Sequence, residues 1–352
     1  MEQFYDATDL LKGLISIPSF SRAETEAADY LQLQWRKAGH EVHRKGNNLW
    51  LASQPFDAAK PSVLLNSHID TVKPVDGWTK DPFAPVEDGE RLYGLGSNDA
   101  GGCVVALYEA FTILSARPQP YNLIFLASAE EEVSGKNGVE SVLPELPPVA
   151  FGVVGEPTAM HPAVAEKGLM VLDCVSRGKS GHAARHEGVN AIQLAMKDIE
   201  WFHSCVFPQQ SNLLGTVKMT VTMIEAGTQH NVIPDTCRFT VDVRPNEFYA
   251  NRTLCDIIRQ HVACEVVPRS LRLNSSRIDA QHPFVRRTVM LGKTPFGSPT
   301  LSDQALMPFP TVKIGPGDSA RSHTADEYIL LPEIREAIDV YVRLLDGLTV
   351  VM

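Results

Sequence analysis

The chain has 352 residues, enough for two domains or for one domain carrying a large insertion. Its formal charge of −10 at pH 7, with no basic stripe, excludes a protein built to neutralise phosphates, so nucleic acid is not an expected partner. Hydrophobic residues at 44% and charged residues at 21% place it among ordinary water-soluble globular chains rather than disordered or fibrous ones.

The first residues, Met1 to Asp6, carry acid where an export signal carries base followed by a long apolar run. The apolar run from Val104 to Leu114 is interrupted by Glu109 and falls short of the roughly 20 residues a membrane span needs. A cytoplasmic protein with no membrane partner is expected. Cys103, Cys174, Cys205, Cys237, Cys255 and Cys264 form no Cys-x-x-Cys pair and no regular framework, which predicts buried thiols in a reducing compartment.

In chain order, Asp6 to Ile15 and Glu24 to Ala38 read as helices, the second with Ala28, Leu31 and Trp35 on one face and Gly39 as its stop. Short strands follow at Glu41 to Lys45 and Leu49 to Ser53. Val63, Leu64 and Leu65 then form an apolar run typical of a strand buried on both faces, ending in His68-Ile69-Asp70. A His and an Asp two residues apart on a strand point the same way, as a metal ligand and its orienting carboxylate would; the same pattern also arises by chance. Ser97 to Gly102 is a glycine-rich turn opening an apolar helix from Cys103 to Leu114, which puts Asp99 at a helix N-terminus. Asn122 to Ala129 is a strand running into Glu130-Glu131-Glu132, and Phe151 to Gly155 is another ending in Glu156. Three adjacent Glu also suit a solvated surface turn. Their position just after a core strand matters, because open α/β sheets build their sites beyond the carboxyl ends of the strands.

From residue 165 the order is strand (Met170 to Ser176), helix (Asn190 to Cys205), strand (Val217 to Glu225), strand (Thr236 to Arg244), helix (Tyr249 to Ala263) and strand (Glu265 to Leu273). This is a split β-α-β-β-α-β unit, complete in itself and readable as a ferredoxin-like insertion. A helix at Pro283 to Leu291, a strand at Thr311 to Ile314 and a last helix at Pro332 to Leu345 then rejoin the first sheet. The expected architecture is therefore α/β, with a mixed-sheet first domain of residues 1–164 and 275–352 and an inserted domain of residues 165–274.

His68, Asp70, Asp99, the three Glu, Glu156 and the late His323 gather at the first sheet. Two His with several carboxylates make a donor set for a borderline divalent ion such as zinc. One bridging carboxylate, with a His and a Glu for each ion, would hold two metals about 3.5–4 Å apart, leaving a spare Glu as general base.

Through Ser67-His68-Ile69-Asp70-Thr71, Gly94 to Gly102, Ala129 to Glu132, Gly155 to Thr158, Gly181-His182-Ala183, Asn231 to Pro234, Asp242-Val243-Arg244 and His323, the chain resembles the co-catalytic zinc deacylases and carboxypeptidases. That family includes acetylornithine deacetylase, succinyl-diaminopimelate desuccinylase and the aminoacylases. The resemblance spans essentially the whole chain. It implies a two-zinc aminopeptidase-like catalytic domain with an inserted lid that serves for dimerisation, and two zinc ions for which cobalt can substitute. His68 and Glu156 would hold one ion, Glu132 and His323 the other, and Asp99 would bridge them. Asp70 would orient His68 and Glu131 would be the base. His182 would reach the partner subunit's site in a homodimer and donate to the developing oxyanion. Arg244 suits either a substrate carboxylate or a structural ion pair, and Asn231 is a further candidate for the substrate pocket.

The implied reaction is hydrolysis of an N-acyl amino acid, first N-acetylornithine in arginine biosynthesis. The alternatives are a succinyl derivative of ornithine, citrulline or diaminopimelate, a small peptide, or an inactive dimerising binding module. One departure stands out: many relatives have Lys two residues after the bridging Asp, where this chain has Gly101.

Overall fold

The computed structural model describes residues 2–185 and 187–350. Residues 1–164, 277–296 and 302–352 form one compact unit, and residues 165–276 with 297–301 form a second. The short stretch 297–301, which the sequence pattern leaves with the first domain, joins the second because Lys167 N donates to the Ser298 carbonyl (3.1 Å).

In the first unit, the strand Ser62–His68 pairs in parallel with Asn122–Ser128 on one side and Val149–Val154 on the other, and Thr311–Lys313 adds in parallel beyond Val149–Val154. Asn48–Ala52 and then His43–Lys45 extend the other edge in antiparallel fashion. Every residue of the Ser62–His68 and Asn122–Ser128 strands is buried, as expected of strands covered on both faces. Successive side chains alternate between the two layers. Val63 and Leu65 join the larger core with Phe125, Trp35 and Phe111. Leu64 joins Ile124, Leu126, Val139 and Val142 on the opposite face.

The helices Thr25–Lys37, Gly102–Ser115 and Leu331–Leu345 cover the first face. Trp35 stacks on Tyr108 at 5.5 Å and meets Phe125 edge-on at 5.3 Å, which locks two of these helices to the sheet. A small antiparallel sheet of Val86–Asp88, Arg91–Tyr93 and Tyr328–Leu330 has no counterpart in the sequence reading; strands of three residues are too short to show alternation.

The second unit is an antiparallel sheet in the order Lys218–Ala226, Thr236–Arg244, Met170–Arg177, Glu265–Pro268, with helices Ala191–Ser204 and Asn251–His261. Leu172, Cys174, Phe239 and Val241 from one sheet face pack with Ala195, Leu254 and Ile258 from the helices. The last strand is shorter than the expected span to Leu273 and stops at Pro268. All six cysteines are free. Among the described residues no helix is long and apolar enough to cross a membrane.

Candidate metal centre and active site

Parallel pairing brings three strand ends to one edge. His68 lies opposite Ser128, and Asn66 lies opposite Val154, so His68, the Glu130–Glu132 segment and Glu156 leave the sheet together. His68 Nε2 is 3.2 Å from Asp99 Oδ1, 3.8 Å from Glu156 and 4.0 Å from Glu131. His323 Nε2 contacts both Glu132 carboxylate oxygens at 3.1 Å and lies 3.7 Å from Asp99 Oδ2. The two oxygens of Asp99 therefore face different imidazoles, the disposition a bridging ligand requires. Among the described residues, donor atoms of His68, Glu131 and Glu156, and separately of His68, Asp99 and Glu132, lie within 4.8 Å of one another.

The Glu triplet departs from expectation in its backbone. An extended chain would have sent Glu131 and Glu132 to opposite sides; instead Glu130 takes a left-handed conformation (φ 56°) and Glu131–Val133 forms one tight helical turn. The two side chains still diverge, Glu131 towards His68 and Glu132 towards His323. Glu130 turns away from the centre and accepts from Asn137 Nδ2 at 2.9 Å.

Asp70 does more than the orienting role expected of its carboxylate. His68 Nδ1 is hydrogen-bonded to the Asp70 backbone carbonyl at 2.9 Å, with the carboxylate 3.6 Å away. The chain turns back after the strand ends at His68, so the carbonyl takes the ring N–H and the carboxylate is aimed elsewhere. It accepts from Ser21 Oγ (2.7 Å), Glu131 N (2.9 Å) and Glu132 N (3.1 Å). Asp70 thus orients His68 through its main chain and anchors the Glu131–Glu132 turn through its side chain.

Burial would depress the His68 pKa, but Asp70 and Asp99 together with the field of Glu131 and Glu156 raise it well above the ordinary value. Burial alone would raise Asp99; His68 overrides this and holds it low. Burial pushes Glu156 up to about 8 despite His68, with Asp99 and Glu132 adding to the rise. Glu131 is raised well above the carboxylate range by burial and by Glu156. The Glu132 hydrogen bond lifts His323 to about 9. Buried carboxylates repelling one another around imidazole nitrogens are what a divalent cation would relieve. The Nδ1 contact of His68 fixes the neutral ring as the tautomer with its Nε2 lone pair turned into the cluster, so the residues fit a metal.

Two contributors escaped the sequence reading. Glu327, buried, accepts from Gly96 N (3.2 Å), Asn98 N (2.9 Å) and Asp99 N (2.9 Å), and burial pushes its pKa up to about 7 against those donors. It ends the His323 motif, which is the only sequence signal for it. Asp303 is buried behind the centre, accepts from Ser128 Oγ at 2.6 Å and is raised to about 6 by burial; nothing local in the sequence marks it.

At Gly101, a Cβ would come within 2.6 Å of the Gly96 carbonyl and 2.7 Å of Leu11 Cδ1. The absence of the Lys that many relatives carry is thus matched by a backbone packed too closely for any side chain.

In the second unit, His182 is exposed, and its Nδ1 accepts from Ala184 N at 3.1 Å. The Asn231 carbonyl accepts from Ala183 N at 3.0 Å, which ties it to the His182 segment. Arg244 is engaged by Asp242 in a two-bond pair at 2.8 and 3.1 Å, the structural alternative for this residue.

Imidazoles and carboxylates converging beyond the carboxyl ends of parallel strands define a metal-dependent hydrolase centre. Residues 64–347 match Peptidase family M20/M25/M40, and the chain belongs to that family. It is 27% identical to the acetylornithine deacetylase of Vibrio vulnificus (strain CMCP6), covering 94% of this chain and 96% of the relative. It is 26% identical to the succinyl-diaminopimelate desuccinylase of Rhizorhabdus wittichii, covering 96% of each. The fold matches that of the Bacillus subtilis YXEP protein, a dinuclear metal-binding peptidase from the M20 family, with TM-score 0.75, 17% identity and 98% of each chain covered.

Proposed function

We propose that the protein hydrolyses the amide bond of N-acetylornithine, releasing ornithine and acetate in arginine biosynthesis in the cytoplasm. The observation that carries the hydrolytic reading is the split of Asp99 between His68 and His323, with Glu131 beside the first pair and Glu132 on the second. The substrate rests on the similarity to acetylornithine deacetylase. A desuccinylase reading is favoured by a relative of that activity at nearly equal identity.

His68 and Glu156 would hold one ion, Glu132 and His323 the other, and Asp99 both. Imidazole nitrogen mixed with carboxylate oxygen favours zinc, and cobalt accepts the same donors. Such ions, when bound, supply the Lewis acidity that acidifies water and polarises an acyl carbonyl. Glu131 takes the proton of the attacking water and passes it to the leaving amine; a carboxyl whose pKa lies above the ordinary range suits both transfers. Asp70 holds the Glu131–Glu132 turn so that base and ligand keep separate directions.

The protein would work as a homodimer, with His182 donating to the oxyanion in the neighbouring subunit. The edge strand Lys218–Ala226, which exposes Met223 (64%) and Ile224 (59%), supports association through the second unit. Mixing inactive His182→Ala and Glu131→Ala chains should restore activity; no recovery after proven subunit exchange would refute the trans role.

The experiment that tests the substrate is release of free amine from acetyl- and succinyl- derivatives of ornithine, citrulline, lysine and diaminopimelate and from small peptides, with zinc or cobalt added. Acetylornithine should rank first. A succinyl derivative or a peptide in that place would replace the reading, and full activity after complete metal removal would refute the mechanism.

A further inference from the structure

We propose that Glu327 and Asn98 form a reciprocal clasp that fixes the spacing between Asp99 and His323, making Glu327 a positioning residue for the second ion site. The inference rests on the two-ion reading above. His323 lies on an irregular loop, in a left-handed conformation (φ 58°), with its side chain 52% exposed. No strand end holds it, in contrast to His68. What holds the loop is polar.

Four residues beyond His323, the Glu327 carboxylate grips the loop that carries Asp99: Oε1 accepts from both Asn98 N and Asp99 N at 2.9 Å, and Oε2 accepts from Gly96 N at 3.2 Å. In return, the Asn98 side chain grips the loop that carries His323. Its Oδ1 accepts from Asp318 N (3.0 Å), and its Nδ2 donates to the Asp318 carbonyl (3.1 Å) and to Ser322 Oγ (3.3 Å). Asn98 is fully buried, and Glu327 is nearly so. Each loop thus satisfies the other's buried polar groups, and the only ligands that the clasp joins are Asp99 and His323. His68 and Glu156 take their positions from the ends of paired strands and lie outside it.

Glu327→Gln keeps the shape but turns an NH2 group towards a backbone N–H. The amide oxygen can serve Asn98 and Asp99, or it can serve Gly96, but one donor is left facing a donor. Asn98→Ala cuts the opposite half of the clasp and leaves the Glu327 carboxylate intact. Both variants should loosen the Asp99–His323 spacing while leaving the strand-end ligands in place.

The test is stepwise titration of metal-free protein with zinc alone against a chromophoric chelator, with stoichiometry by elemental analysis after gel filtration and melting of the metal-free protein as control. Wild type should take two ions. In both variants one of the two ions, the one that Glu132 and His323 would hold, should lose about tenfold or more in affinity, the usual range for a lost partner of a metal ligand. The other ion should change little, and the metal-free melting temperature should fall by no more than one unpaired buried amide costs, a few degrees. Two ions bound with unchanged affinity in both variants overturns the clasp, as does equal weakening of both ions, which marks general damage. Should Glu327→Gln fail to fold, Asn98→Ala decides alone by the same criteria. A wild type that takes fewer than two ions refutes the two-ion reading itself, and the clasp falls with it.

Discussion

Asp70→Asn separates an anchor of the Glu131–Glu132 turn from a simple partner of His68. Asp70 is fully buried, and its carboxylate meets three donors: Glu131 N on Oδ1, and Ser21 Oγ with Glu132 N on Oδ2. Asn supplies only one oxygen. Whichever way its amide turns, an NH2 group faces the N–H of Glu131 or of Glu132, while the Ser21 hydroxyl can rotate to accept. The loss is one charge-assisted bond, about 1.5–3 kcal/mol, part of it reappearing as the cost of an unpaired buried amide, so we expect a net destabilisation of about 2–4 kcal/mol. At roughly 2–4 °C per kcal/mol for a domain of this size class, the melting temperature should fall by about 4–16 °C. Because Glu132 is displaced along with its amide, zinc affinity should also fall by about tenfold or more. The assays are thermal melting of the metal-free protein and zinc titration, with Ser21→Ala as the control that removes one donor and leaves both amide bonds in place. The His68 Nδ1 bond to the Asp70 main-chain carbonyl survives the substitution. An Asp70→Asn protein with wild-type melting and wild-type zinc affinity would therefore refute the anchor.

Glu131→Ala should lower kcat by about 10²-fold or more at near wild-type metal content, whereas Glu132→Ala should lose metal; elemental analysis showing the reverse would shift the base by one residue. His282 accepts from Phe284 N at the start of the helix Pro283–Met290, and burial holds its pKa below the ordinary value. The unfolded chain therefore binds its proton first, so stability should fall as pH drops below about 6.5; His282→Asn, which keeps an acceptor, should flatten that part of the profile in urea melts. Zinc binding at pH 7 should release more than one proton, since His323 at about 9 and Glu156 at about 8 are both protonated without metal and His68 and Glu131 are also held above their ordinary values. Affinity should accordingly weaken as pH falls, and calorimetry in buffers of different ionisation enthalpy that finds no proton release would contradict this account.

The convergence of His68, the Glu triplet and Glu156 was legible because strand ends are local events. Val63, Leu64 and Leu65 announce a buried strand, and in a parallel sheet the residues after such strands meet at one edge, so pattern brings His68, the Glu triplet and Glu156 together, while only the family resemblance gave each of them a role. What failed to show was backbone conformation and long-range polar pairing. The left-handed Glu130 that turns Glu131 and Glu132 apart leaves no trace in three identical letters. Glu327 meets Asn98 across 229 positions, and Asp303 meets Ser128 across 175; a carboxylate that caps distant amides looks in sequence like any other acid. The pairing of Arg91–Tyr93 with Tyr328–Leu330, which brings the end of the His323 loop beside the Asp99 loop, is hidden for the same reason.

The carboxylates of this site divide by what they touch, and the division accounts for its charge. Asp70 and Glu327 spend their negative charge on three donors each, all of them backbone amides except the Ser21 hydroxyl on Asp70. Asp99, Glu131, Glu132 and Glu156 face imidazole nitrogens and one another, and Glu327 accepts from the main-chain N–H of Asp99, leaving the Asp99 carboxylate oxygens to the imidazoles. With both His neutral, these four carry a charge of −4, which two divalent ions neutralise and one leaves half uncompensated in a buried setting, where an unpaired charge is costly. In the absence of metal the same balance is approached with protons, which is why Glu156 is pushed to about 8 and His323 to about 9. The charge of these four carboxylates thus matches the two-ion reading proposed above. A substitution that changes that number, such as Glu132→Gln, should change the number of ions held before it changes the fold.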